Sequence, residues 1–210
     1  NFTTEVNLKF MAEMLPQGLK TIADSAEIML TVKDSKFIGY CFPVADKSEA
    51  VQKIAEISQQ HRKATHICWA YRIYENNQLL YYAHDAGEPH GSAGAPILKA
   101  LTSRQLVKAL VVVVRYFGGT KLGIGGLIRA YGATAGKTLD LVEHKPFIQR
   151  QTLRIECPLA KYSQLAHFLG RFSESSKPEF TENSVIFTVQ IEVKKADEFR
   201  TELNSIPGLI

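Results

Sequence analysis

The residues best suited to chemistry sit in one short stretch, Gly118-Gly119-Thr120-Lys121-Leu122-Gly123-Ile124-Gly125-Gly126. Five glycines follow an apolar, β-branched run at 109–116 and precede a segment with helical patterning that runs to about Val142. Glycine lets the backbone turn several N–H groups toward one point, and a helix N-terminus adds the positive end of its dipole. Arg115, Lys121 and Arg129 place cations around the loop. The combination describes an anion or phosphate site built from Arg115, Gly118, Gly119, Lys121, Gly123, Gly125, Gly126 and Arg129. It fits no standard nucleotide motif. A Walker A loop needs Lys-Ser/Thr after its last glycine, where Gly123 is followed by Ile124. A dinucleotide fingerprint starting at Gly123 needs glycine or alanine where Ile128 stands. ATP and NAD are thus unsupported, and no cofactor is expected. The plainer reading is that the glycines allow close strand–helix packing, and Gly132 and Gly136 favour it for part of the set.

A second loop, His84-Asp85-Ala86-Gly87-Glu88-Pro89-His90-Gly91-Ser92-Ala93-Gly94, holds two carboxylates and two histidines within seven residues. Such a group could bind a metal or move protons. Its spacing is neither a zinc nor a calcium pattern, so no metal is expected. Ser92 is no nucleophile elbow, because His90 occupies the first glycine position. Loop ordering accounts for it as well: Asp85 and Glu88 can accept backbone N–H bonds, and Glu88 can pair with a cation of the glycine-rich loop. No catalytic residue is assigned, and His66, Asp85, Glu88 and Ser92 are expected to form the rim of the anion site. On the run His66-Ile67-Cys68-Trp69-Ala70-Tyr71-Arg72, strand alternation puts His66, Cys68 and Ala70 on one face. Ile67, Trp69 and Tyr71 take the other. Exposed, Trp69 or Tyr71 would offer base stacking; buried aromatics are the commoner outcome.

These loops need elements to hold them. Residues 26–44 read as a hairpin broken near Asp34-Ser35. Asp46 and Glu49 have capping-box spacing before a helix to about Arg62, with Val51, Ile54, Ala55 and Ser58 on its apolar face. Strands follow over 65–74 and 79–83, joined through Glu75-Asn76-Asn77-Gln78, then a short helix over 96–102. The run at 109–116 is a central strand, and His144-Lys145-Pro146 marks a boundary. The remainder reads strand 148–157, helix 159–172, strands near 179–182 and at 185–193 with a turn at Asn183-Ser184, and helix 196–206. A last strand can begin at Gly208. This βαββα(β) order is that of a ferredoxin-like module.

The chain has 210 residues, 45% hydrophobic and 22% charged, an ordinary globular balance that argues against disorder. The longest purely apolar run, 109–114, is far too short to cross a bilayer. No charged-then-apolar leader opens the chain, and residue 1 is Asn. Cys41, Cys68 and Cys157 are widely spaced and odd in number, which suits buried, reduced thiols in a cytoplasmic protein. Residues 1–150 carry 18 Lys/Arg against 13 Asp/Glu, residues 151–210 carry 7 against 8, and no acidic residue lies between Pro89 and Leu139. That segregation suits a polyanion or a merely solubilising surface.

Taken together, Asp34-Ser35-Lys36-Phe37-Ile38, the His66 to Tyr71 run, Gly87 to Pro96 and above all Arg115 to Tyr131 resemble the IMPACT family in its bacterial, YigZ-type branch. The likeness is firm from about Leu19 to Lys145. Ala86 stands where members often have a second Asp, Ser92 where Thr is usual, and Lys36 where Arg is frequent. The resemblance implies an α+β, two-domain chain: an arm at 1–18, a ribosomal-protein-like β-α-β domain at 19–145 similar to domain IV of elongation factor G, and a ferredoxin-like domain at 146–210 similar to its domain V. The first of these folds contains a left-handed crossover. The resemblance also implies a setting in translational control, with a translation-factor or kinase-pathway protein as a further partner. The leading expectation is a non-enzymatic, translation-associated module that binds RNA or the ribosome through the basic glycine-rich loop. Two alternatives stay open: an enzyme acting on a phosphorylated small molecule or nucleotide, and a protein-interaction adaptor.

Overall fold

A computed structural model describes residues 15–75, 78–172 and 176–206. Most of the expected arm, the turn residues Asn76 and Asn77, and the final strand expected at Gly208 lie outside them. The fold is mixed α/β, in two compact units that meet in sequence between Phe147 and Ile148.

The first unit centres on a five-stranded antiparallel sheet, β2 (Ala26–Val32), β3 (Ser35–Pro43), β6 (Ala109–Tyr116), β4 (His66–Glu75) and β5 (Gln78–His84), in the order β2-β3-β6-β4-β5. The apolar run of β6 takes the middle because both its faces are covered. Ala109, Val111 and Val113 pack with α2 (Gly94–Ser103) and α3 (Gly123–Leu139), while Leu110, Val112 and Val114 pack on the other side with Ala50 and Ile57 of α1 (Lys47–Gln60). Each fully buried Val or Leu contributes roughly 1.5–3 kcal/mol. Strand alternation on β4 follows the same division, with Cys68 and Ala70 on the first face and Ile67, Trp69 and Tyr71 on the second.

Asp46 caps α1, its carboxylate accepting from the Glu49 N–H at 2.9 Å while Glu49 accepts from the Ala45 N–H at 2.7 Å. The buried face of α1 runs through Ala50 and Ile57 with Ile54 beside them; Val51 and Ala55, expected on that face, are exposed. The hairpin turns at Lys33-Asp34, one residue earlier than expected, because both residues adopt positive φ (44° and 63°) as a tight two-residue hairpin requires. His144–Pro146, expected only as a boundary, is a strand (β7) paired antiparallel with β1 (Lys20–Ile22). Gly125 and Gly126 are helical rather than part of the loop, and α3 ends at Leu139, three residues short of the expected Val142.

The second unit carries β8 (Arg150–Pro158), α4 (Tyr162–Leu169), β9 (Ser176–Phe180), β10 (Ser184–Glu192) and α5 (Ala196–Asn204). Its antiparallel sheet runs β8-β10-β9, so β10 is inserted between the two strands that α4 connects. Alternate residues Leu153, Ile155 and Cys157 of β8 and Val185, Phe187, Val189 and Ile191 of β10 face Leu165, Phe168, Leu169, Phe199 and Leu203 of the helices. Three-residue 3-10 turns precede both helices, which are shorter than the expected 159–172 and 196–206.

Candidate functional site

Arg115 follows Val111 and Val113 on the α2/α3 face of β6, so strand parity carries it inward. Its guanidinium Nη1 donates to Glu88 Oε1 at 2.7 Å, and the Tyr131 hydroxyl of α3 donates to the same oxygen at 2.7 Å. Both charged side chains are nearly sealed, 6% and 3% exposed. Glu88 thereby ties β6 and α3 to the 84–94 loop. Burial, then the neighbouring Cys68 and Glu88, push the Tyr131 hydroxyl far above its ordinary pKa, so it serves as a donor. Arg115, expected as a phosphate-binding cation, is instead committed to Glu88 through Nη1; its buried Nε has no hydrogen-bond partner among the described residues.

Next to this pair, Cys68 Sγ donates to the Asp85 carbonyl at 2.9 Å, and burial above all pushes the thiol up to about 12. It is no nucleophile at neutral pH. His66 Nδ1 lies 2.9 Å from the Ala86 carbonyl. A carbonyl only accepts, so Nδ1 carries the proton. Nε2 then faces Glu88 Oε2 at 4.0 Å.

Asp85 does not enter this cluster with its side chain. Its carboxylate accepts from the N–H groups of Gly91 (2.8 Å), Ala93 (3.0 Å) and Gly94 (2.8 Å), closing the loop onto the start of α2. Burial raises its pKa, but the three N–H bonds outweigh burial and leave it lowered. Ser92 is fully buried, and its Oγ has no hydrogen-bond partner among the described residues.

The glycines divide by role. A Cβ on Gly118 would fall 2.1 Å from the Asp34 carbonyl carbon, so this glycine serves packing against the β2–β3 turn, and its N–H donates to Ser35 Oγ at 3.2 Å. Gly119 and Gly123 have φ of 94° and 68°, with open space where a side chain would go. They bend the chain into α3. The residue ahead of α3, Leu122, offers no side-chain cap, and the first turn holds no acidic residue. The start of α2 lacks the same two features but is reached by Asp85 from the loop; among the described residues no side chain reaches the N–H groups of α3 in that way.

A pocket of about 380 Å³ opens beside this helix start. It gathers Arg115, Lys121 and Gly123 from the expected phosphate-binding set, and His66 and Glu88 from the expected rim. Gly118, Gly119, Gly125, Gly126, Arg129, Asp85 and Ser92 do not line it. Arg129 is exposed and lies back along α3, with Nη1 3.6 Å from where a Gly125 Cβ would sit. Three positions at the pocket or its buried anchor are not singled out by the sequence. Tyr131 was legible as a tyrosine on the buried face of α3, four residues after Leu127, whose hydroxyl needs a partner. Phe117 and Ile124 line the pocket and are 45% and 60% exposed; only their places beside the glycines hint at this. Tyr71 is buried, and Trp69 stacks between Tyr71 and His84, which takes both rings away from the base-stacking role.

The acid-free stretch does not make one basic face. Lys99, Arg104 and Lys137 line a separate groove of about 420 Å³ between α2 and α3, where Arg104 binds Asp140 at 2.8 Å. All three cysteines are buried and free. Among the described residues no group of three His, Cys, Asp or Glu is placed to hold a metal ion, and no helix is long and apolar enough to cross a membrane.

Comparison with known proteins places this chain in a family. Residues 33–139, which span four of the five strands of the sheet, the Asp85 loop and the glycine-rich turn, match the Impact N-terminal domain. IMPACT family member YvyE of Bacillus subtilis is 38% identical over 192 residues, covering 88% of this chain and 86% of that protein. IMPACT family member YigZ of Escherichia coli is 27% identical, covering 82% and 85%. A crystal structure of a hypothetical protein superposes with a TM-score of 0.70 at 25% identity, over 90% of this chain and 92% of that one. The domain match and the likeness to YvyE over most of the chain show that the protein belongs to the IMPACT family.

Proposed function

We propose that this protein is a translation-associated module that binds RNA, on the ribosome or on a ribosome-bound partner, through the pocket at the start of α3. The observation that carries the reading is the pairing of an uncapped helix N-terminus with Lys121 and an exposed aromatic, Phe117, in one pocket. Backbone N–H groups and an ammonium hold phosphate. An aromatic face at the same rim holds an unstacked base, the combination that single-stranded RNA readers use. Arg129 extends the positive surface along the helix. The translational setting comes from the family alone. In this reading the two units are counterparts of domains IV and V of elongation factor G.

Fluorescence anisotropy with a structured RNA across a salt series tests it. Binding falls steeply with salt, and Lys121→Ala with Arg129→Ala weakens it and flattens the slope by about one for each phosphate no longer held. An affinity that does not change between low and high salt removes the phosphate clamp. The enzyme reading loses Asp85 as its base, since that carboxylate is taken up by three backbone donors. A protein partner retained after nuclease digestion of the extract would favour the adaptor.

A further inference from the structure

The groove between α2 and α3 shares no residue with the pocket at the start of α3. Its floor is apolar and small: Pro96 and Ala100 on α2, with Ile128, Gly132 and Gly136 on α3. Ile128 is 42% exposed there. Its rim is basic. Arg104 is taken up by Asp140, whereas Lys99 and Lys137 have no acidic partner among the described residues. The two glycines differ. A Cβ on Gly136 would fall 3.2 Å from Arg104 Nη2, which donates to the Gly136 carbonyl, so the fold itself uses that close approach. A Cβ on Gly132 would meet the Pro96 Cβ at 3.6 Å, an ordinary contact. Glycine in mid-helix is less stable than alanine. Among the described residues no packing contact requires Gly132, and the space it leaves opens on the groove.

We infer that this groove seats an amphipathic helix of a protein partner, with a small apolar face on the glycine floor and acidic flanks. Charge complementarity sets the sign, because two lysines without acidic partners call for carboxylates across the rim. The same lysines oppose a two-fold pairing of the groove with itself in a second copy, which would set like charges together. The floor sets the form. Its main-chain groups belong to two helices and are bonded within them. An extended peptide would therefore bury N–H and C=O groups without partners, whereas a helix satisfies its own. Small residues let the two backbones approach closely. From Ile128 to Lys137 α3 rises about 14 Å, enough for an occupant's anchors at i, i+4 and i+7. RNA suits this groove less well than the pocket with Phe117, because no aromatic ring lines it for a base to stack on.

The test is anisotropy of the full chain with three labelled synthetic peptides. The first is a helix with leucine at i, i+4 and i+7 and glutamate on its flanks. The second carries lysine in place of glutamate, and the third has the first composition with a central proline. The acidic helix binds, less tightly as salt rises, and the other two bind about tenfold more weakly. Lys99→Glu with Lys137→Glu lowers affinity for the acidic helix about tenfold and raises it for the lysine-flanked one. Gly132→Ala separates the seat from the fold: Tm rises by about 3 °C, the gain of alanine in mid-helix, while the acidic helix binds severalfold more weakly. Lys121→Ala, in the other pocket, leaves peptide affinity unchanged. No binding of the acidic helix, or equal binding of the acidic and lysine-flanked peptides, overturns the inference. A Gly132→Ala variant that melts higher with peptide affinity unchanged overturns it as well. Loss of RNA binding but not of peptide binding in the charge-reversed variant gives the groove to nucleic acid and overturns the helix seat.

Discussion

Helices α2 and α3 both begin at a glycine after a glycine-rich loop, yet their first turns are satisfied in opposite ways. At α2 the Asp85 carboxylate gathers the N–H groups of Gly91, Ala93 and Gly94. The chain supplies the anion that this helix start attracts. At α3 neither a side-chain cap nor a first-turn acid is present, and Lys121 stands two residues ahead of the helix. Here the chain withholds the anion. Two loops of similar composition therefore differ: one is closed by its own carboxylate and serves as frame, the other is left without a side-chain anion.

The frame can be broken most severely where the two loops are joined. Arg115→Met leaves Glu88 buried without its cation, and breaking one side of such a pair costs about 3–5 kcal/mol. Urea denaturation of Arg115→Met should show a loss in that range. The double variant Arg115→Met with Glu88→Gln should recover part of it, because the uncompensated charge is gone. A double variant no more stable than the single one would mean that the pair contributes packing rather than charge balance.

Asp85→Ala opens the α2 side of the comparison. Three backbone donors lose their acceptor, for an expected loss of about 2–3 kcal/mol near neutral pH. The pH dependence follows from the lowered pKa of Asp85 in the fold. Its contribution is fully present above the unfolded-state value of about 4, and is lost as pH falls through the lower folded value. The gap between the parent protein and Asp85→Ala in urea midpoint should thus be constant from neutral pH down to about 5 and shrink in more acidic solution. A gap that persists unchanged in acid would assign the loss to the side chain's packing and not to its charge.

How much of this was legible in the sequence depends on the range of the interaction. The limits of β6 and the cap at Asp46 follow from local pattern, and the structure reproduces them. The β1–β7 pairing joins two three-residue segments more than a hundred positions apart, neither long enough to show a period. Arg115 is the instructive case. Its place beside the glycines suggests a cation for the loop, but its parity with Val111 and Val113 already assigns it to the covered face. Composition pointed to the loop, and alternation, carried one residue further, turns this guanidinium inward, where it needs a carboxylate such as Glu88. Gly118 shows the same division of labour: its neighbours suggest an anion loop, while the Asp34 carbonyl against it is visible only once the hairpin is folded back.

The smallest change in stability gives the sharpest test of the comparison. Gly125 lies in the first turn of α3 with no strained φ, and Arg129 is the nearest side chain to its missing Cβ. Gly125→Glu supplies what Asp85 supplies to α2, an acid at the helix start. Replacing a helical glycine, complementing the dipole and pairing with Arg129 four residues on should together stabilise the first unit by about 1 kcal/mol. Gly125→Gln keeps the gain in helix propensity without the charge. If the α3 start is held open for phosphate, the Glu variant should lose RNA affinity while melting higher, and the Gln variant should melt higher with affinity little changed. Equal RNA binding by the two variants would mean that α3 is merely uncapped. A selective loss in the Glu variant would mean that marginal stability at this helix start is the condition under which a ligand's anion can take the place of the chain's own.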